Sequence, residues 1–187
     1  MRREHTKKES GLDKILIKEA VPADAVKCLN YLKQIGRETD NLTFGAEGLP
    51  VSPADEAKFL QAVHDDRGSV SYFAWHEGHI VGDVSLNALP RRMSHRSNLG
   101  LSVVKAWWGK GIGSSLLQKA VDYAEANGVE LINLEVRSDN YRAIRLYERF
   151  GFRKIGVSPA YFKIGADYID FDLMYLDLRY LNKGDSC

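Results

Sequence analysis

The stretch VVKAWWGKGIGSSLL, from Val103 to Leu117, decides how the rest of the chain is read. It enters on β-branched apolar residues, passes Gly109, Gly111 and Gly113 within five positions, and leaves on Leu116 and Leu117. That is a strand feeding a helix through a turn whose backbone must stay bare. The helix is expected from Gly111 to Asn127, with Ile112, Leu116, Ala120, Tyr123 and Ala124 on its buried side and Gly128 closing it. A helix start leaves several amides without partners, aimed one way, and an anion suits such a cluster. Lys110 adds positive charge. The plain alternative for a bare Gly-x-Gly is a packed turn that binds nothing.

The two common phosphate loops do not fit. No Gly-Lys-Ser/Thr tail stands at the Walker spacing, and a dinucleotide fold places its glycines after the first strand of a βαβ unit, whereas these follow the fourth.

Upstream, Ile15 to Ala20 alternates as a half-buried strand, and Pro22 and Asp24 turn it into a helix over Asp24 to Arg37 with Ala25, Leu29, Leu32 and Ile35 in one stripe. Thr39 to Pro53 reads as a loop. Ser52 and Pro53 then open a second helix that turns Ala57, Leu60 and Val63 inward. Ser69 to Leu89 forms a hairpin about Glu77-Gly78, and Ser97 to Val104 is the strand that leads into the glycines. Downstream, Val129 to Val136 is apolar enough for the inside of a sheet, Asn140 to Phe150 is a short helix stopped by Gly151, and two strands end the pattern. The order β-α-α-β-β-β-α-β-α-β-β implies a mixed α/β fold: about seven strands in one sheet with helices on both faces.

VVKAWWGKGIGSSLL followed by NLEVRSDNYRAIRLYERFGFRKIG (Asn133 to Gly156) resembles the coenzyme-binding half of the GNAT N-acetyltransferases, and the element order resembles that fold from Ile15 to about Leu178. The resemblance implies transfer of an acetyl group from acetyl-coenzyme A to a primary amine of a small molecule or a peptide N-terminus. It implies that Gly109, Lys110, Gly111, Gly113 and Ser114 grip the cofactor pyrophosphate, and that the backbones of Leu101 and Val103 meet the pantetheine arm and thioester. Trp108 departs from the family pattern, which has Gln or Arg there. Tyr147 matches the family's general acid. Asn140, seven residues earlier and on the same helix face, caps the helix, bonds the cofactor, or does both.

Six basic residues fall between Arg137 and Lys154 (Arg137, Arg142, Arg145, Arg149, Arg153, Lys154), and Arg142 or Arg145 would suit the 3′-phosphate. The strand RSNLGLSVV offers no carboxylate as a base, which leaves His95, Glu47 in the early loop, and Glu135 on the neighbouring strand. A non-catalytic coenzyme A-binding protein, or transfer of a different acyl group, is the alternative reading.

At 187 residues and a net charge of +1, one domain over residues 14–180 is expected, with a disordered polar tail at 1–13 and a short tail at 181–187. The charge balance argues against a nucleic-acid partner, and no apolar run argues for a membrane. Two cysteines without ligand spacing imply no disulfide framework, no metal and a cytoplasmic protein. A monomer, or a homodimer through the terminal strands, is expected.

Overall fold

The computed structural model describes residues 15–179; the two expected tails, 1–13 and 181–187, lie outside them. The elements are β1 (Leu16–Glu19), α1 (Ala25–Glu38), α2 (Pro53–Asp65), β2 (Val70–His76), β3 (His79–Ala88), β4 (Arg96–Val103), α3 (Ile112–Ala126), β5 (Leu131–Arg137), α4 (Tyr141–Arg149), β6 (Arg153–Ile164) and β7 (Asp167–Asp177). Their order is the one the sequence implies. Three single 3-10 turns, at Pro22–Asp24, Arg91–Met93 and Lys105–Trp107, go beyond that reading.

Local chemistry sets the element ends. Ser52 caps α2 by accepting the Asp55 amide, and Pro53 takes the first helical position, where no amide is needed. Glu77 and Gly78 both have positive φ, at 47° and 80°, the twist that lets two residues join β2 to β3.

One sheet holds all seven strands in the order β1-β2-β3-β4-β5-β7-β6. Only β4 and β5 run parallel. On one face α3 and α4 bury Leu116, Leu117, Ala120 and Tyr147 against Val84, Ile132 and Met174. On the other, α1 and α2 cover Phe73 and Ile80 with Cys28, Tyr31, Ile35 and Leu60. Cys28 behaves as a small apolar residue, its thiol pushed up by burial and by the nearby acids. Because Leu116 is wholly enclosed, Leu116→Ala is expected to lower unfolding free energy by about 2–5 kcal/mol, read from a urea transition at unchanged m-value.

Strand β6 is irregular where the sequence looked continuous. Its register with β7 shifts between Ser158 and Phe162, Ala160 adopts φ 51°, and the Ala160 amide donates to Asp170 Oδ1 at 2.8 Å. Pro159, which cannot donate to a ladder, falls inside that bulge. Among the described residues no helix is long and apolar enough to cross a membrane, and no three His, Cys, Asp or Glu side chains group as metal ligands.

Candidate active site

The site begins where two parallel strands part. β4 pairs with β5 only from Arg96 to Asn98, against Leu131 to Asn133, and beyond that point the two strands separate. A cleft of about 980 Å³ fills the gap, bounded by Leu99 to Val103 of β4, Glu135 to Arg137 of β5, the glycine loop, α4 and the 39–43 loop. Backbone groups of β4 that point away from β3 therefore face space rather than a strand.

The glycine loop closes one end. Gly109 and Gly111 have φ of 77° and 84°, and Gly111 is the left-handed cap of α3. A side chain at either position would be strained, yet a Cβ on Gly111 would meet no protein atom within 4 Å. The chain thus keeps an open concavity there. The first α-helical amide bond across the start of α3 runs from Ser115 to the Gly111 carbonyl, so among the described residues the amides of Gly109 to Ser114 meet no protein acceptor. Gly113 instead packs, its Cβ position lying 3.5 Å from Leu146 of α4.

Cations stand over this loop on aromatic supports. The Arg142 guanidinium lies 4.9 Å from the Trp108 ring centroid, and one of its nitrogens is 3.9 Å from where a Gly109 Cβ would be. Lys110 Nζ lies 4.3 Å from the Trp107 ring centroid. The Trp108 indole donates to the Val103 carbonyl, which fixes the ring beneath the arginine and engages one backbone group of β4. Trp108 thereby holds a cation from α4 over the loop. Arg145 and Arg149 also border the cleft. Two other members of the basic cluster are paired with acids: Arg137 with Asp139 at 2.7 Å on the cleft wall, and Lys154 with Asp172 at 2.8 Å.

Asn140 caps α4, its Oδ1 accepting the Ala143 amide at 3.2 Å, and it borders the cleft as well. Two turns on, Tyr147 is 6% exposed, its ring 5.6 Å from that of Phe152. Burial alone raises its pKa well above that of a free phenol, so the hydroxyl stays protonated and acts as a donor. No side chain is recorded as sharing that proton among the described residues, and Tyr147 lines the cleft.

The three candidate bases are not brought together. Glu135 is exposed and borders the cleft beside Tyr161. Glu47 is exposed on a turn outside the cleft lining, where its Oε1 accepts the Gly45 amide at 2.8 Å and backbone amides hold its carboxyl below the usual range. His95 precedes β4 at the end away from the cleft, about 26 Å along the strand from Val103 at ~3.3 Å per residue. Its carbonyl accepts the Glu130 and Leu131 amides. The charge type at position 95 was visible in the sequence; its distance from the splay was not.

The far end of the cleft is aromatic. The β6 bulge brings Tyr161 over Phe171 with centroids 4.6 Å apart, and Phe162 lies 4.4 Å from Phe171. Opposite, the 39–43 loop is tied down by the Arg137 guanidinium donating to the Asp40 carbonyl at 3.3 Å.

Comparison with known proteins agrees with this fold. Residues 34–152 match the model of the acetyltransferase (GNAT) family. An L-amino acid N-acetyltransferase, AaaT, of Escherichia coli is 27% identical over 65% of this chain and 76% of its own length. The N-alpha-acetyltransferase RimI of Mycobacterium tuberculosis is 34% identical over 48% of this chain, a match that spans 56% of that protein. Among solved structures, a GNAT-family acetyltransferase from Streptococcus pneumoniae superposes with a TM-score of 0.84 at 29% identity, covering 88% of this chain and 99% of that one. The yncA protein of Salmonella typhimurium, solved with its cofactor acetyl-CoA, shares the fold at a TM-score of 0.78 and 20% identity over 93% and 99% of the two chains.

Proposed function

Because the chain belongs to the GNAT acetyltransferase family, we propose that it moves the acetyl group of acetyl-coenzyme A directly to a primary amine. The observation that carries this is the row of unpaired amides from Gly109 to Ser114 beneath Arg142, at the mouth of the β4–β5 splay. Positive donors converge there, and a diphosphate is the anion whose size and charge they suit. The open space over Gly111 is the test of fit, and the residues pass it.

When bound, acetyl-coenzyme A supplies an acetyl thioester activated toward attack by an amine. The amides of Gly109, Gly111, Gly113 and Ser114, with Lys110 and Arg142, hold the diphosphate end. The edge of β4 around Leu101 and Val103, free of β5 and with the Val103 carbonyl held by the Trp108 indole, receives an extended chain as a sheet edge receives a strand. Asn140, already capping α4, has its side-chain amide N–H groups left to donate at the cleft wall. Tyr147 keeps a proton at the buried wall of the cleft and offers it to the sulfur as negative charge develops there, a role in which a buried hydroxyl is worth more than an exposed one.

The acceptor enters from the aromatic end. Tyr161, Phe162 and Phe171 form an apolar wall with Glu135 beside it, which suits an amine carried next to an apolar group. The names of two relatives, an L-amino acid acetyltransferase and an N-alpha-acetyltransferase, favour an α-amino group in that position. The measurement is thiol release from acetyl-coenzyme A with L-amino acids, N-terminal peptides and polyamines. Saturable turnover is expected with an α-amine bearing an apolar side chain. Cofactor binding without turnover on any amine would overturn the proposal.

A further inference from the structure

Two cavities meet at the β3–β4 ladder. The cleft reaches Ser102 from one side. A second cavity, of about 310 Å³, opens between α1, α2 and the sheet, and Cys28, Glu56, Phe59, Asp83 and Ser85 are among its walls. Asp83 and Ser102 are direct register partners across the antiparallel pair, so their side chains leave the same face with Cβ atoms about 5 Å apart. Tyr31 of α1, only 3% exposed, places its hydroxyl 2.8 Å from Ser102 Oγ. Ser102 thus stands between the cleft and a carboxylate.

Among the described residues no cation faces that carboxylate from the elements packed around it. Helix α1 presents Cys28 and Tyr31, α2 presents Glu56, β2 pairs Phe73 opposite Asp83, and β4 presents Ser102; Asp24 stands near Cys28. Glu56 is 5% exposed, and none of the ion pairs among the described residues involves it or Asp83. Glu56 is buried and Asp83 half-buried, and acids so placed without a counter-charge weaken a fold when ionised. Burial first, and the charge of Glu56 second, push the Asp83 carboxyl up to about 7. Both neighbouring donors, the Cys28 thiol and the Tyr31 phenol, are pushed up by burial and stay protonated.

We propose that Asp83 receives the proton shed by the acceptor amine, through Ser102, and releases it to water by way of the α1–α2 cavity. The proposal rests on the acetyltransfer reading and supplies the base that β4 lacks. The ammonium N–H bond breaks and its electron pair stays on nitrogen as the attacking lone pair. An O–H bond forms on Ser102 Oγ as that hydroxyl's own proton moves to the Asp83 carboxylate, and Asp83 returns to its ionised form by protonating water. The relay requires Tyr31 to be the donor in its 2.8 Å contact with Ser102 Oγ, a contact either hydroxyl can donate, so that the Ser102 proton points toward Asp83. Asp83 does not touch substrate; it is a positioning and proton-accepting residue one step removed.

The test follows kcat against pH at saturating amine, so that the free amine's own titration drops out. It is paired with carbon-13 NMR of the Asp83 carboxyl in the cofactor-free protein. The wild type is expected to lose rate as pH falls through about 7, with Asp83 titrating over the same range. Asp83→Asn should lose this limb and turn over about 10–100-fold more slowly at pH 8, with unchanged acetyl-coenzyme A affinity. Glu56→Gln should move both the NMR titration and the rate limb to lower pH, because the Glu56 charge raises the Asp83 value. Ser102→Ala should leave the titration in place and lose the rate. An Asp83→Asn enzyme within twofold of wild type with the same limb overturns the inference alone. So does a Glu56→Gln limb that stays put while the titration moves. A wild type that binds the cofactor and acetylates no amine removes the acetyltransfer reading, and this inference with it.

Discussion

Replacing Gly111 with valine is expected to weaken acetyl-coenzyme A binding at least about 100-fold, which is about 2.7 kcal/mol. Valine is a poor occupant of φ 84°, so the cap of α3 must rotate and the amides of the loop lose their common direction. Strain alone would destabilise the fold without bearing on the ligand, and a second glycine separates the two effects. Gly128 ends α3 at φ 77° with nothing within 4 Å of its Cβ position, so valine there meets comparable backbone strain at the far end of the same helix. Gly128→Val is expected to lower the melting temperature while keeping cofactor affinity within about threefold. Calorimetric titration of the two variants side by side reads the difference, and equal affinities would remove the loop from the binding site.

Tyr147→Phe is expected to lower kcat by roughly 100–1,000-fold with little change in cofactor affinity. The ring is enclosed against Phe152, so phenylalanine keeps the packing and removes only the hydroxyl. That hydroxyl is fully protonated across the working pH range, because burial moves its pKa upward. Its loss is therefore a loss of a donor at the sulfur, felt when the thiolate departs. The pH-rate limb assigned to Asp83 should survive in Tyr147→Phe, since the two groups act at opposite ends of the reaction. A leaving group of lower pKa should recover part of the lost rate. Turnover equal to wild type would take the acid role from Tyr147.

How much of this was legible beforehand depends on which residues are asked. Helix α3 and its glycine cap were legible because left-handed backbone and a three-to-four-residue apolar repeat both leave marks in local sequence. Tyr147 was singled out through the resemblance to the GNAT family, and its seven-residue spacing from Asn140 put the two on one face of a short helix. Asp83 was not. Along β3 the residues Asp83, Ser85 and Asn87 alternate with Val84 and Leu86, a pattern that reads as a solvent-facing row. Helices α1 and α2 fold back over that face and convert a surface pattern into a half-buried one. The clue available was two amphipathic helices early in the chain with a sheet face to cover.

His95 shows the reverse. A histidine two residues before the expected central strand looked close to the chemistry, but parallel pairing with β5 holds that end of β4 shut while the strands open at the other. Arg142 was anticipated as a cation for phosphate; its placement over Trp108 depends on contact between α4 and the loop, which spacing does not encode. The bulge that aims Tyr161 likewise arises from a pairing shift between β6 and β7, with Pro159 as its single local sign.

The central claim is that backbone amides at the start of α3 hold the diphosphate of coenzyme A, and amide NMR reads those donors one by one. Titrating coenzyme A into uniformly nitrogen-15-labelled protein should shift the amides of Gly109 to Ser114 most strongly and saturably, with smaller movements along Leu101 to Val103. Saturable shifts centred on another part of the fold, with those six amides unmoved, would contradict the account.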